Sequence, residues 1–330
     1  MREAWSIPTQ LAAVMPEPLA LIADLGGTNA RFALADAKGE RDTKILHGAD
    51  YPTLADAAHA YLDMVKPAAP PKQAAIDVAS PVTGDQVTLT NAAWSFSISA
   101  LKQDLGLERL EVINDFTAVA LAVPYLDEGD RAQIGGGAAV ADAPIGVLGP
   151  GTGLGVSGLV PSGGRWTALA GEGGHVTMAA ATEREAAVLD RLRHRYQHVS
   201  AERVLSGMGL VNLYETLSQL DGVDPVQRDA AAVSEGAKTG DPHCAEAVST
   251  FASLLGTVAG NLALTLGSRG GVYIAGGIVP KMGPQFDEAL FRQRFEAKGR
   301  MRSFVVDIPT YLVTHPLPAF LGLRSVLHLT

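Results

Sequence analysis

Residues 19–36 read LALIADLGGTNARFALAD, and residues 145–160 read IGVLGPGTGLGVSGLV. Each is an apolar run, a glycine-rich turn and a second apolar run, the pattern of strand, turn, strand. At a constant offset Gly27-Thr28 falls on Gly151-Thr152, with apolar strand residues aligned on both sides and Leu148 opposite Asp24. The chain therefore carries an internal repeat, and each half opens on the same hairpin. Two glycine-rich turns can match by chance as plain structural hairpins. As phosphate-binding turns they would enclose one nucleotide between two halves of the molecule.

The residues of the turns allow both readings. Gly26 and Gly27 free the backbone to turn tightly and bring N–H groups toward an anion, and Thr28 and Asn29 add side-chain donors. Asp24, at the strand end, is placed to hold magnesium through water, because that ion keeps much of its hydration shell. In the second turn Gly149, Gly151, Gly153 and Gly155 alternate around Thr152. That spacing is neither a P-loop, which ends in Lys-Ser/Thr, nor the dinucleotide G-x-G-x-x-G.

Outward from the hairpins, Leu54–Val65 has helical spacing and stops at the proline-rich run 66–71. Apolar runs at 74–79, 86–90 and 111–113 read as strands, and Phe116–Val123 reads as a helix ending at Pro124. Residues 132–143, with three consecutive glycines, read as a surface loop. A charged helix is expected from Glu183 to about His198, and a long, nearly uncharged one over Cys244–Leu266. The strand after it, 271–275, ends at Gly276-Gly277.

Three polar groups stand out between these elements. Asn114-Asp115 lies between a strand and a helix, where either residue type can cap the helix or the carboxylate can accept a proton from a substrate hydroxyl. Glu172 and His175 lie in GEGGH, whose glycines argue against the helical spacing a metal pair needs. A carboxylate and an imidazole there suit vicinal sugar hydroxyls, each both donor and acceptor. Ser200-Ala201-Glu202-Arg203 resembles a helix start, with Ser200 as cap and Glu202 either a first-turn residue favoured by the helix dipole or a further hydroxyl acceptor. Asn91 and Trp94 could line a sugar site or end a strand.

Bulk properties restrict the classes. With 330 residues, 47% of them apolar, the chain is long enough for two domains. A net charge of −9 argues against nucleic acid. The single cysteine, Cys244, allows no internal disulfide or thiolate zinc cluster, so a reducing, cytoplasmic setting is expected. The first twenty residues hold three prolines and do not read as a signal peptide. No apolar run approaches the roughly 20 residues of a membrane span.

Taken together, LIADLGGTNARFAL, SPVTGDQVTLTNAAWSFSI, VINDFTAVA, LGPGTGLGVSG, GEGGHVTMA, VSAERVLSG and AGNLALTLG with GGVYIAGGIVP resemble the bacterial glucokinase family. That family is a branch of the sugar kinase, actin and heat-shock ATPase superfamily, and the resemblance runs from about Leu19 to the C-terminus. It implies a two-domain, actin-like (ribonuclease H-like) α/β fold with a cleft between a small α/β domain and a larger α+β domain. The small domain would comprise 19–125 with 316–330, the large one 126–315, and 1–18 would be a flexible extension. By the same resemblance Asp115 is the catalytic base, and Asn114, Glu172, His175 and Glu202 bind D-glucose. Asp24 through Asn29 and Gly149 through Gly155 would hold the phosphates of Mg-ATP, Gly276 and Gly277 would lie by the adenosine, and the protein would be a homodimer. Met208 stands where the family commonly has proline, and Pro318-Ala319-Phe320-Leu321-Gly322 departs slightly from the usual Pro-Gly-Leu-Leu-Gly.

Other classes fit less well. The glucokinase lineage related to sugar-sensing repressors resembles a kinase core with a cysteine-rich zinc site, which one cysteine cannot build. A repressor would add a helix-turn-helix and a basic surface. A dehydrogenase would need different glycine spacing.

Overall fold

The computed structural model describes residues 19–89 and 94–330; the N-terminal extension and Asn91 lie outside them. The first hairpin is β1 (Ala20–Leu25) and β2 (Asn29–Asp36), extended by β3 (Gly39–His47). Next come α1 (Leu54–Val65), β4 (Gln73–Val78), the short ribbon β5 (Gln86–Thr88) and β6 (Ser95–Ser97), α2 (Ile98–Asp104), β7 (Arg109–Asn114) and α3 (Asp115–Ala122). Five of these strands form one sheet in the order β3-β2-β1-β4-β7, an antiparallel meander followed by two parallel strands. α1 starts where the sequence places it because Thr53 and Asp56 form a reciprocal capping box, and it ends on Lys66 in a left-handed conformation.

The second half repeats the plan. It runs through β8 (Arg131–Gly135), β9 (Ile145–Pro150), β10 (Leu154–Ser162), β11 (Arg165–Ala170), α4 (Glu183–Tyr196), α5 (Gly207–Leu220), α6 (Ala230–Lys238) and α7 (Pro242–Leu266). β12 (Val272–Ile274), α8 (Ile278–Met282), α9 (Glu288–Glu296), α10 (Arg302–Val305), β13 (Thr310–Val313) and α11 (Pro318–Val326) complete it. The second sheet has the order β11-β10-β9-β12-β13-β8. Without the edge strand β8 it matches the first sheet strand for strand, so the repeat extends well beyond the two turns.

Side-chain alternation corrects the register of that repeat. Leu21, Ala23 and Leu25 face the core that contains α1, while Ala20 and Ile22 face α11. On β9, Leu148 faces the core built on α7, and Ile145 and Val147 face the opposite side. A residue can match its counterpart only if both point to the same face. Asp24 therefore corresponds to Gly149, and Leu148 to Ala23. The returning strands keep the original offset, because four residues separate Leu25 from its partner Ala30 and three separate Pro150 from Leu154. The second turn is one residue shorter.

Three further expectations change. Residues 132–143 are not all loop, since β8 pairs antiparallel with β13. Ser200 begins one 3-10 turn, 201–203, without a side-chain cap bond, and the helix starts only at Gly207. α7 is long and apolar enough to cross a membrane by length and composition, contrary to the reading of the sequence, but 67% of its most apolar window is buried inside the molecule. It is a core helix, with Gly256 and Gly260 letting α9 approach its backbone. Cys244 is buried in its first turn, and burial pushes the thiol up to about 11.

α3 lies between the two sheets. One side meets Ala20, Ala33, Ala35 and Ala75 of the first sheet together with α11, and the other meets Ile145, Val147 and Leu159 of the second. Alanines on the sheet face let the helices sit close. The closest approach is at Gly322 of α11, where a Cβ would stand 1.8 Å from the carbonyl oxygen of Ala118. Because that obstacle is backbone, Gly322→Ala must push α11 off α3. The expected loss is about 1–3 kcal/mol, or several degrees in Tm. Gly84→Ala, with nothing near its Cβ, should leave Tm unchanged. Equal midpoints for the two variants in thermal denaturation would refute the contact.

Candidate active site

Between the sheets lies a cleft of about 1440 Å³. Of the residues singled out in the sequence, Asp24, Gly26, Gly27, Thr28, Asn114, Asp115, Gly149, Gly151, Thr152, Gly153, Glu172, His175, Glu202, Gly276 and Gly277 line it. Asn29 does not. It begins β2, its carbonyl accepts the Gly26 N–H at 3.0 Å, and its side chain faces His47 at 3.4 Å. Trp94 belongs to the first core instead, donating to the Tyr51 carbonyl at 3.0 Å.

The two turns are built alike but fastened differently. The amides of Gly26 and Gly151 close their own turns, bonding to the carbonyls of Asn29 and Gly153 at 3.0 and 2.8 Å. The tips, Gly27-Thr28 and Thr152-Gly153, thus carry the amides left to meet an anion. In the first hairpin the cross-strand pair Asp24–Arg31 is an ion pair of 2.8 Å. The equivalent pair in the second is Gly149–Gly155. These glycines, with Gly153, make room for side chains from elsewhere. A Cβ on Gly149 would stand 2.7 Å, and one on Gly155 2.2 Å, from the Phe116 ring, while one on Gly153 would meet Glu202 Oε2 at 2.4 Å. Only Gly151 has open space. Gly276, at φ +83°, faces Pro150, whose oxygen a Cβ would approach to 2.5 Å.

Asn114 caps α3, its Oδ1 accepting the N–H groups of Phe116 and Thr117 at 2.9 and 3.1 Å. It fills the capping role and lines the cleft as well. Asp115 follows as the first helical residue, and its Oδ1 accepts the Phe116 N–H at 2.7 Å. Burial raises the Asp115 carboxyl above the ordinary aspartate range; the Phe116 N–H opposes this, and the charges of Asp24 and Glu172 add to it.

Across the cleft, Glu172 and His175 flank a 3-10 turn with their side chains exposed and 3.9 Å apart. Gly174 packs under the turn, where a Cβ would be 2.0 Å from the Leu154 oxygen. Glu202 reaches the same region because residues 176–178 pair with 199–201, through Ala201 N–H to Val176 O at 2.9 Å and Met178 N–H to Val199 O at 3.0 Å. Its Oε2 accepts the Leu154 N–H at 2.9 Å, and Gly207 N–H donates to Gly151 O at 2.9 Å. The connection that carries Glu202 therefore holds the second hairpin at two points.

Asp77 went unnoticed in the sequence. It sits in β4 beside Asp24, its Cα partner, and is completely buried, with neither carboxylate oxygen hydrogen-bonded. An acidic residue inside the apolar run QAAIDV was the available signal. Burial holds its carboxyl well above the ordinary range, and the charges of Asp24 and Asp115 push the same way.

Comparison with known proteins bears on what such a cleft does. The glucokinase family model matches residues 21–330. A glucokinase of Paramagnetospirillum magneticum is 54% identical over 311 residues, which is 93% of this chain and 97% of that protein. Among solved structures, a glucokinase from an Antarctic psychrotroph matches with a TM-score of 0.87 at 39% identity, covering 95% of this chain and 99% of the other. A glucokinase of Balamuthia mandrillaris, solved in complex with glucose, shares the fold with a TM-score of 0.78 at 20% identity, over 96% of this chain and 95% of that one.

The buried acid has a consequence for stability. Between its unfolded pKa, about 3.9, and its higher folded value, the folded chain holds more protons than the unfolded one. Stability from this group is therefore full below the unfolded pKa and is lost as pH rises through the folded value. Asp77→Asn keeps the size and removes the ionisation. Its Tm, compared with the parent across a pH series from about 4 to 8, should gain on the parent as pH increases. A constant difference across the series would show that Asp77 does not change charge on unfolding.

Proposed function

The chain belongs to the glucokinase family, and we propose that it transfers the γ-phosphoryl group of ATP to the 6-hydroxyl of D-glucose in the cleft between its sheets. The observation that carries this reading is that one cleft gathers both glycine hairpins, the Glu172–His175–Glu202 side and the half-buried carboxylate of Asp115. Phosphoryl transfer asks a protein mainly for positioning, charge neutralisation and an acceptor for the hydroxyl proton.

Asp115 is that acceptor. It takes the proton of the 6-hydroxyl as the oxygen attacks the γ-phosphorus and ADP departs. Asn114, Glu172, His175 and Glu202 hold the other hydroxyls, Glu202 with the carboxylate oxygen not engaged by Leu154. The hairpin tips bind the phosphates through their amides and through Thr28 and Thr152. Gly276 and Gly277 border the adenosine: both line the cleft, and a side chain at Gly276 would fill the space beside Pro150.

Mg²⁺ fits the floor of this site. It keeps most of its water and needs one or two carboxylates besides the phosphates; Asp24 meets that need, with the unpartnered Asp77 carboxyl behind it. No group of three or more His, Cys, Asp or Glu side chains suited to hold an ion occurs among the described residues. When bound, it neutralises charge on the phosphates.

In this reading residues 19–125 with 316–330 and residues 126–315 form two lobes that close over the sugar, exclude water and limit ATP hydrolysis. Assembly as a homodimer and a cytoplasmic location are part of the same reading, from the family resemblance.

Asp115→Asn should lower kcat at least ~100-fold, the usual scale for a removed general base, while glucose still binds in calorimetry. Retention of more than about a tenth of kcat in a coupled ADP-release assay would overturn the assignment. In the parent enzyme, kcat/KM should fall on acidification with a midpoint above the ordinary aspartate value, about 3.9, because the base works only when ionised. A midpoint at or below that value would contradict the burial of Asp115.

A further inference from the structure

Phe116 follows the proposed base directly, and none of the roles assigned above uses its ring. Its N–H is held by Asn114 and Asp115, so the start of the side chain is fixed to the same turn that carries the carboxylate. Its ring leaves the first sheet altogether. It lies across β9 and β10 of the second sheet, over the cross-strand pair Gly149–Gly155, and lines the cleft. All three atoms nearest to a Cβ on Gly155 belong to this ring, at 2.2, 2.3 and 2.8 Å. In the first hairpin the equivalent positions carry Asp24 and Arg31, so glycine is not a requirement of the hairpin itself.

We propose that Phe116 is a positioning residue: its ring is a spacer between the turn that carries Asp115 and the second phosphate hairpin, and Gly155 is a glycine because the ring rests on it, whereas Gly149 is confined by the ring and by the Ala275 backbone together. This rests on the reading of Asp115 as base and of the hairpin as phosphate-binding. The base and the phosphate-binding backbone come from opposite sides of the cleft, and in-line transfer requires the hydroxyl, the phosphorus and the base in a fixed relation. A rigid ring in contact with two strand backbones cannot be compressed, so it sets how near the hairpin comes to Asp115 when the cleft is shut. A displacement of about 1 Å in such an arrangement can lower the rate ~100-fold without removing a single ligand of the substrate. Glucose, held by other side chains, would still bind.

The test is a double-mutant cycle on Phe116→Leu and Gly155→Ala, with kcat, KM for glucose and KM for ATP measured for each variant and kcat normalised to glucose-binding sites counted by calorimetry. Phe116→Leu should lower kcat at least ~10-fold with KM for glucose within about threefold, a split that follows from misplacement of bound groups. Gly155→Ala should lower kcat further, because its methyl group displaces the ring. The double variant should recover part of that loss, since the smaller side chain admits the methyl; two residues in contact are not additive. Additive effects on kcat, or a Phe116→Leu enzyme within about twofold of the parent, would overturn the proposal. So would a loss confined to the number of binding sites, which would mean that Phe116 only holds the fold. The coupling is also read in the unfolding free energies of the four proteins, which do not depend on activity. An inactive parent, or an active Asp115→Asn, would instead refute the reading of function, whatever the cycle gives.

Discussion

The first turn of α3 must be flush against two sheets at once. Its N-terminus grows out of β7 through the Asn114 cap, Ala118 joins the alanine face of the first sheet, and Phe116, Val119 and Ala120 join the core of the second. Close packing on both sides leaves little freedom for the helix to slide or rotate. The Gly322–Ala118 backbone contact brings the C-terminal helix into the same arrangement. The position of Asp115 is thus a consequence of packing across the whole junction. A catalytic group mounted on such an element is better fixed than one on a loop.

The duplicated hairpins show how one backbone serves two purposes. The same cross-strand position carries an Asp–Arg ion pair in the first hairpin and two glycines in the second. The first hairpin brings charge to the cleft floor. The second brings backbone and gives up its side chains so that Phe116 and Glu202 can come in from neighbouring segments. Glycines that resemble an anion-binding run in sequence are, at three of four positions, places where another residue's side chain is seated. Glu202 serves the hairpin and the cleft together: its Oε2 holds the Leu154 amide, and the residue lines the cleft.

Two carboxylates, Asp24 and Asp115, line the cleft, and a third, Asp77, is buried behind Asp24. Burial first, and neighbouring like charge second, raise the carboxyls of Asp77 and Asp115, and Asp77, the more buried, is raised well above the ordinary range. Arg31 offsets part of that charge.

The sequence by itself determined the two hairpins, their repetition, most element positions and the polar and glycine positions of the cleft from Asp24 to Gly277 other than Asn29, because strand alternation and glycine turns are local patterns with local physical causes. α1 was legible to the residue for that reason: its capping box and its stop lie within the segment. What the sequence left undecided is non-local. The true register of the repeat depends on which core each strand face meets, and this placed Gly149, not Leu148, against Asp24. Ser200 looked like a helix cap because its neighbours have helix-start character, yet pairing of 199–201 with 176–178 held it in a single turn. Asn29 belonged to the turn by its type, but its side chain points away from the cleft. The absence of side chains at Gly149, Gly153 and Gly155, and the isolation of the Asp77 carboxyl, have their explanation in residues far away in the chain. Only the tertiary structure decided them, because a steric or electrostatic demand made by a distant side chain leaves no periodicity in the segment that meets it.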